Sequence, residues 1–305
     1  MVAPIRRGGP SPSWPHHGLY VRVRNAIHAL PSRFRTSLRV AGISAVDLFT
    51  LNTPLGAAIE QSVVDSLNDV REIWDPDGRY KLYSFIRQAQ VFPDVLLETT
   101  APDVPAADRV LMGMELKGWF VLAKEGEPSF RYKASPAVCA PQDLLVVYPW
   151  TLDEVVSGSP KLLRPFVEEA RFAAEHRNHY WTELRGVRGA AAKVMTAQYQ
   201  SPYPPTKNQK FNDSPSSDTG NNFGRVARGG LMTSFIEELM ALPLSGIPAK
   251  HWQSFLKIFA GGARETVIER GIENIRKEAE KAGLDSDEVE KIERFLQASR
   301  ALYRS

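Results

Sequence analysis

The chain has a single cysteine, Cys139, among its 305 residues. An intramolecular disulfide framework, a cysteine-rich zinc site and a four-cysteine iron–sulfur cluster are therefore excluded, and any metal chemistry must rest on carboxylates or histidines. No uninterrupted apolar run approaches the roughly 20 residues that a membrane helix needs. The basic residues at the N-terminus lead into no apolar stretch of the kind an export signal carries. A protein of the reducing cytoplasm, without a membrane partner, is expected. Acidic residues are missing from the whole stretch before Asp47, which holds Arg6, Arg7, Arg22, Arg24, Arg33, Arg35 and Arg39. Such an excess of one sign at one end points to a polyanionic partner. At 43% hydrophobic and 24% charged residues, the chain as a whole has the apolar content to bury a sizeable core.

Residues 1–18 are rich in Pro, Gly, Ser and Arg and read as a flexible lead-in. Thr53 as N-cap and Pro54 at the first helical position then open an amphipathic helix, with Leu55, Ile59, Val63, Leu67 and Val70 at spacings of three and four. It ends before the turn cluster Asp75-Pro76-Asp77-Gly78. Strand-like runs follow over 80–86, 91–97, 110–122 and 144–150, the last three heavily apolar. A helix over about 160–184 is predicted to pack across the sheet they make. The fold class expected is α/β, a mixed central sheet flanked by helices, with its core over residues 19–198. Residues 199–228 form a long basic, Asn-rich loop with little periodicity. A helical C-terminal extension over 229–305 is expected, with helices near 229–242, 248–260, 263–282 and 286–303.

The stretch Val110-Leu-Met-Gly-Met-Glu115-Leu-Lys117-Gly-Trp-Phe-Val-Leu122 carries an anomaly: two ionisable residues interrupt an apolar strand at positions two apart. Period two puts both on one face. A carboxylate and an ammonium in such surroundings are costly unless paired or bound to a metal. From this alone, a structural ion pair and a reactive site are both open. Upstream, Phe92-Pro93-Asp94-Val95-Leu96-Leu97 sets an aspartate inside a second apolar run. Adjacent strands would bring Asp94 and Glu115 together, and two carboxylates with room for water suit Mg²⁺. In phosphodiester hydrolysis the two acids would hold the metal, while Lys117 would orient the attacking water and offset charge developing at phosphorus.

Pro93-Asp94 followed by Glu115-Leu116-Lys117 resembles the PD-(D/E)xK motif of type II restriction endonucleases and of related repair and recombination nucleases. The resemblance covers roughly residues 53–185. It implies a restriction-endonuclease-like fold, Mg²⁺-dependent cleavage of double-stranded DNA, Asp94 and Glu115 as metal ligands, and Lys117 as a catalytic partner. In that family an acid on the preceding helix often joins the site, and Glu60 lies at the matching place. Two further Pro-Asp pairs fit loosely. Asp77 falls in a turn and Asp103 in a polar, Pro-rich connection, whereas Asp94 alone has apolar strand neighbours. With no helicase, ATP or cysteine-cluster motif, a restriction role is expected over repair, with a cognate DNA methyltransferase in the same system. Cutting at palindromic sites would imply a homodimer. The rival readings are a structure-specific or repair nuclease and a non-catalytic DNA-binding protein with a buried Glu–Lys pair.

Arg131 and Lys133, two apart in Phe-Arg-Tyr-Lys, are candidates to clamp DNA backbone near the cut. Lys207, Lys210, Arg225 and Arg228 bracket the long loop as further DNA contacts. Gly224-Arg-Val-Ala-Arg-Gly-Gly230 has the glycines of a phosphate loop but neither a GKS/GKT ending nor a preceding strand, so ATP binding is not expected. His176 and His179 share a helical face without an HExxH pattern and read as helix surface. His16 and His17 fall in the lead-in.

Overall fold

The computed structural model describes residues 5–41, 51–88, 91–185 and 191–259, with scattered helical positions beyond. Helix α1 (His17–Arg33) is followed by α2 (Asn52–Asp69) and one short turn, Arg71–Trp74. Strands β1 (Ser84–Arg87), β2 (Val95–Glu98), β3 (Val110–Phe120), β4 (Leu144–Leu152), β5 (Pro160–Leu162) and β6 (Phe166–Glu169) come next, then α3 (Ala170–His179), which runs into a π-helical turn, Tyr180–Leu184. Helices α4 (Thr233–Ala241) and α5 (Ala249–Phe259) follow the long loop.

The six strands form one mixed sheet. β1, β2 and β3 run as an antiparallel meander, β3 and β4 are parallel, and β5 and β6 both run antiparallel to β4. All nine residues of β4 are buried, as expected of a strand covered on both faces. Helix α2 packs on β1 and β3, and α3 on β4 and β6. Tyr148 of β4 donates its hydroxyl to the Ile27 carbonyl, which ties α1 to the sheet. The expected mixed sheet flanked by helices is thus present, as are helices matching those expected near 229–242 and 248–260. The two helices expected over 263–282 and 286–303 lie almost entirely outside the described residues.

Three local expectations are corrected. The helix read over 160–184 begins only at Ala170; the preceding ten residues are an interrupted strand along β4, with Trp150 opposite Leu162 and Val147 opposite Phe166. Pro165 lacks an N–H and falls in the interruption, where no ladder bond is asked of it. Second, α1 was not anticipated from sequence, although Leu19, Val23, Ala26, Ile27 and Leu30 make a buried stripe at helical spacing. Third, residues 5–18 are held against the body of the protein. Glu168, with a side chain 7% exposed, needs a cation, and Arg7 supplies one through Nη2 at 2.6 Å. The same guanidinium lies over the Phe172 ring, and Gly8 N donates to Glu169. Among the described residues no helix is long and apolar enough to cross a membrane.

Candidate active site

The β2–β3 register sets Val95 opposite Met114, so Asp94, one residue before β2, comes level with Glu115. Hydrogen bonds at the turn-back from β1 to β2 hold Asp94 in place: Gln88 N donates to the Asp94 carbonyl at 2.7 Å and the Gln88 side-chain amide to the Pro93 carbonyl at 2.8 Å. Gly113 makes room for that turn, since a Cβ there would lie 2.4 Å from Pro93 Cγ. Asp143 braces the same point, accepting from Gly113 N and Ala140 N at 2.7 Å each and from the Tyr203 hydroxyl at 3.0 Å.

Lys117 Nζ lies 2.7 Å from Asp94 Oδ2 and 2.8 Å from Glu115 Oε1. Leu116 N also donates to Asp94 Oδ2. The side chains are 26% (Asp94), 12% (Glu115) and 19% (Lys117) exposed, so the cluster is recessed but reaches solvent. One ammonium faces two carboxylates and neutralises only one of them. Burial, and then the charge of Asp94, push the Glu115 carboxyl up to about 7, against the pull of Lys117. Burial alone would lower Lys117, but the two carboxylates outweigh it and hold the ammonium above its ordinary range. The two carboxylates thus favour the charged form of Lys117.

Glu60 projects from α2 and meets Arg87 of β1 at 3.4 Å. Burial raises its pKa; Asp94 adds to that rise, while Lys117 and Arg87 oppose it, so Glu60 feels the charges of the cluster. Asp77 and Asp103 both sit exposed in turns, and the Pro-Asp pair that reaches Lys117 is Pro93-Asp94.

Across from the acids, Arg131, Lys133, Phe211 and Asn212 line the same concavity of about 210 Å³ as Asp94 and Glu115. Segment 131–135 is no regular strand, yet Tyr132 is buried while Arg131 is exposed and Lys133 partly so, which preserves the alternation expected of the two cations. Arg177 of α3 holds this wall. Its guanidinium donates to the Tyr132 and Ala134 carbonyls at 2.9 and 3.0 Å and to Asp213 Oδ2 at 2.8 Å. Asp213 N in turn donates to the Lys133 carbonyl.

Other candidates fall elsewhere. Lys207 and Lys210 are exposed on the long loop, and neither they nor Arg225 and Arg228 line the concavity. Arg225 pairs with Glu125 at 2.9 Å and Arg228 with Glu127 at 2.7 Å. The N-terminal arginines are likewise engaged: Arg22 donates to the Trp74 carbonyl, Arg33 faces Glu72 and Arg39 faces Glu154. Their charge is partly matched within the fold, which weakens the case for a polyanion drawn from charge asymmetry alone. Among the described residues, no group of three or more His, Cys, Asp or Glu is arranged to hold a metal ion, the His176 and His179 pair included.

Sequence reading passed over Arg177, Asp213 and Asp143. For Arg177 a signal existed: Ala170, Ala173, Ala174 and Arg177 fall at i, i+3, i+4 and i+7 on a buried helical face, where a cation needs a partner. Comparison of the chain with protein-family models, with curated proteins and with solved structures found no match.

Proposed function

We propose that this chain is a magnesium-dependent endonuclease of restriction-endonuclease-like fold that hydrolyses phosphodiester bonds of double-stranded DNA. The observation that carries the reading is the shared ammonium: two recessed carboxylates on Lys117, facing a wall that carries Arg131 and Lys133. A purely structural pair would balance its charge. This cluster keeps one carboxylate in excess, and burial, with the charge of Asp94 added, lifts Glu115 to about 7.

The donor set fits Mg²⁺, which takes one or two carboxylates from a protein and keeps several waters; Asp94 and Glu115 would hold it. When bound, the ion would polarise the scissile phosphate and offset charge on the leaving oxygen. Water adds to phosphorus, one P–O ester bond breaks and the leaving oxygen takes up a proton. Lys117, in its charged form, orients the water and stabilises negative charge growing on the phosphoryl oxygens. Arg131 and Lys133 receive backbone phosphates beside the cut. Glu60, within electrostatic reach, adds negative charge on the α2 side.

We read the biological role as site-specific type II restriction in a system with a cognate methyltransferase, the enzyme acting as a homodimer if its sites are palindromic. Incubation with mixed plasmid DNA and Mg²⁺, followed by sequencing of the ends, tests the proposal. Discrete fragments with a shared end sequence are expected. Indiscriminate degradation would move the same chemistry to a structure-specific or repair nuclease, and no magnesium-dependent cutting would refute the enzyme.

A further inference from the structure

Phe211 and Asn212 wall the concavity and have no part in the chemistry above. We propose that they form a subsite for one unstacked nucleobase of a DNA strand, next to the phosphate being cut. Phe211 supplies the stacking face and Asn212 an amide for the base edge. The inference rests on the nuclease reading and specifies how the strand enters.

Proximity is the first argument. Asp94 and Glu115 line a concavity of about 210 Å³, with side chains only 26% and 12% exposed. Phe211 and Asn212 line that same concavity, so a phosphate brought to the two carboxylates lies beside their ring and amide. The chemistry of the wall is the second. Arg131 and Lys133 provide charge for the backbone, and an aromatic ring beside them provides a face on which any base can stack, the combination that grips single strands. Phe211 is half-buried and backed by Phe92, ring centroids 6.2 Å apart, while Asn212 is exposed.

Rigidity is the third. Asn212 bridges Ala134, Ser135 N donates to the Phe211 carbonyl at 2.9 Å, and the next residue, Asp213, is fixed by Arg177, Asn178 and Ala197 N. The platform is therefore set before any ligand arrives, and little ordering cost falls on binding.

The test is fluorescence anisotropy of the full chain in EDTA with a labelled mixed-sequence oligonucleotide, single-stranded or annealed as a blunt duplex. Stacking of one base contributes about 1–3 kcal/mol, roughly 5- to 150-fold in affinity. Phe211→Leu, which keeps apolar volume but loses the ring, should weaken single-strand binding at least about fivefold and change duplex binding by less than about twofold. Phe211→Tyr should restore it. Asn212→Ala, at an exposed position safe for folding, should weaken the single strand alone by roughly fivefold. Equal losses on both substrates, or no loss in a variant that melts like the parent, would overturn the subsite. If the parent cuts DNA with Mg²⁺ but Phe211→Leu and Asn212→Ala do not discriminate, the subsite falls and the nuclease stands. If the parent never cuts yet both variants discriminate, the nuclease falls and the base subsite stands.

Discussion

Two ion clusters lie on either side of segment 131–135, and they are built differently. Arg177 and Asp213, with side chains 3% and 0% exposed, pair one cation with one anion, and their remaining donors and acceptors meet Tyr132, Ala134, Asn178 and Ala197. Lys117 faces two carboxylates that are recessed but reach solvent, and burial together with the second carboxylate raises the Glu115 carboxyl to about 7. The first arrangement is what stability asks of a buried charge: pairing, balance and full hydrogen bonding. The second keeps an imbalance that a cation or a developing charge can relieve. Being buried and paired is common to both; what separates them is stoichiometry and access.

Variants can break that distinction or sharpen it. Arg177→Met would leave Asp213 buried and uncompensated, at a cost of about 3–5 kcal/mol. Thermal denaturation should register this as a drop of roughly 10 °C. A drop as large from Glu115→Gln would erase the contrast between the clusters. For Glu115 the sign follows from its raised pKa. The folded state holds the proton more tightly than the unfolded chain, so the contribution of Glu115 to stability is full below about 4.5 and is lost as pH climbs through about 7. Glu115→Gln should therefore gain on the parent between pH 5 and pH 8, by about 1 kcal/mol or more, in melting curves taken across that range. A parent that gains stability relative to this variant over the same interval would contradict the imbalance. The smallest effect is expected at the wall: Lys133→Ala should lower the slope of log affinity for duplex DNA against log salt by about 1 with no change in melting.

Much of this was legible in sequence, but unevenly. Helix α2 announced itself by the stripe from Leu55 to Val70, although it begins at Asn52 with Leu51 and not Thr53 as its N-cap, and β3 and β4 by apolar runs too dense for anything but a covered sheet. Glu115 and Lys117 were visible as a local anomaly, because period two needs no knowledge of the rest of the chain. The contact of Asp94 with Lys117 depends on the β2–β3 register and on Gly113 giving way to Pro93, which are tertiary facts. The interrupted strand before α3 was mistaken for helix because charged and apolar residues alternate there without a clear period, and only pairing with β4 decides it. The arginines of α1 concealed a stripe that the spacing of Leu19, Val23, Ile27 and Leu30 does carry. Phe211 and Asn212 could not be read as part of the site, since they come from a loop nearly a hundred residues beyond Lys117, fixed in place by Asp213.

On the proposed reading, the Lys117 cluster performs chemistry and does not merely hold the fold. Cleavage of supercoiled plasmid in Mg²⁺ by Lys117→Ala, measured beside the parent with both melting curves, tests it most directly. Cutting should fall by several orders of magnitude while DNA binding persists and the variant still melts cooperatively, below the parent because two recessed carboxylates have lost their ammonium. A parent with no magnesium-dependent cutting, or a variant that cuts as well as the parent, would contradict it.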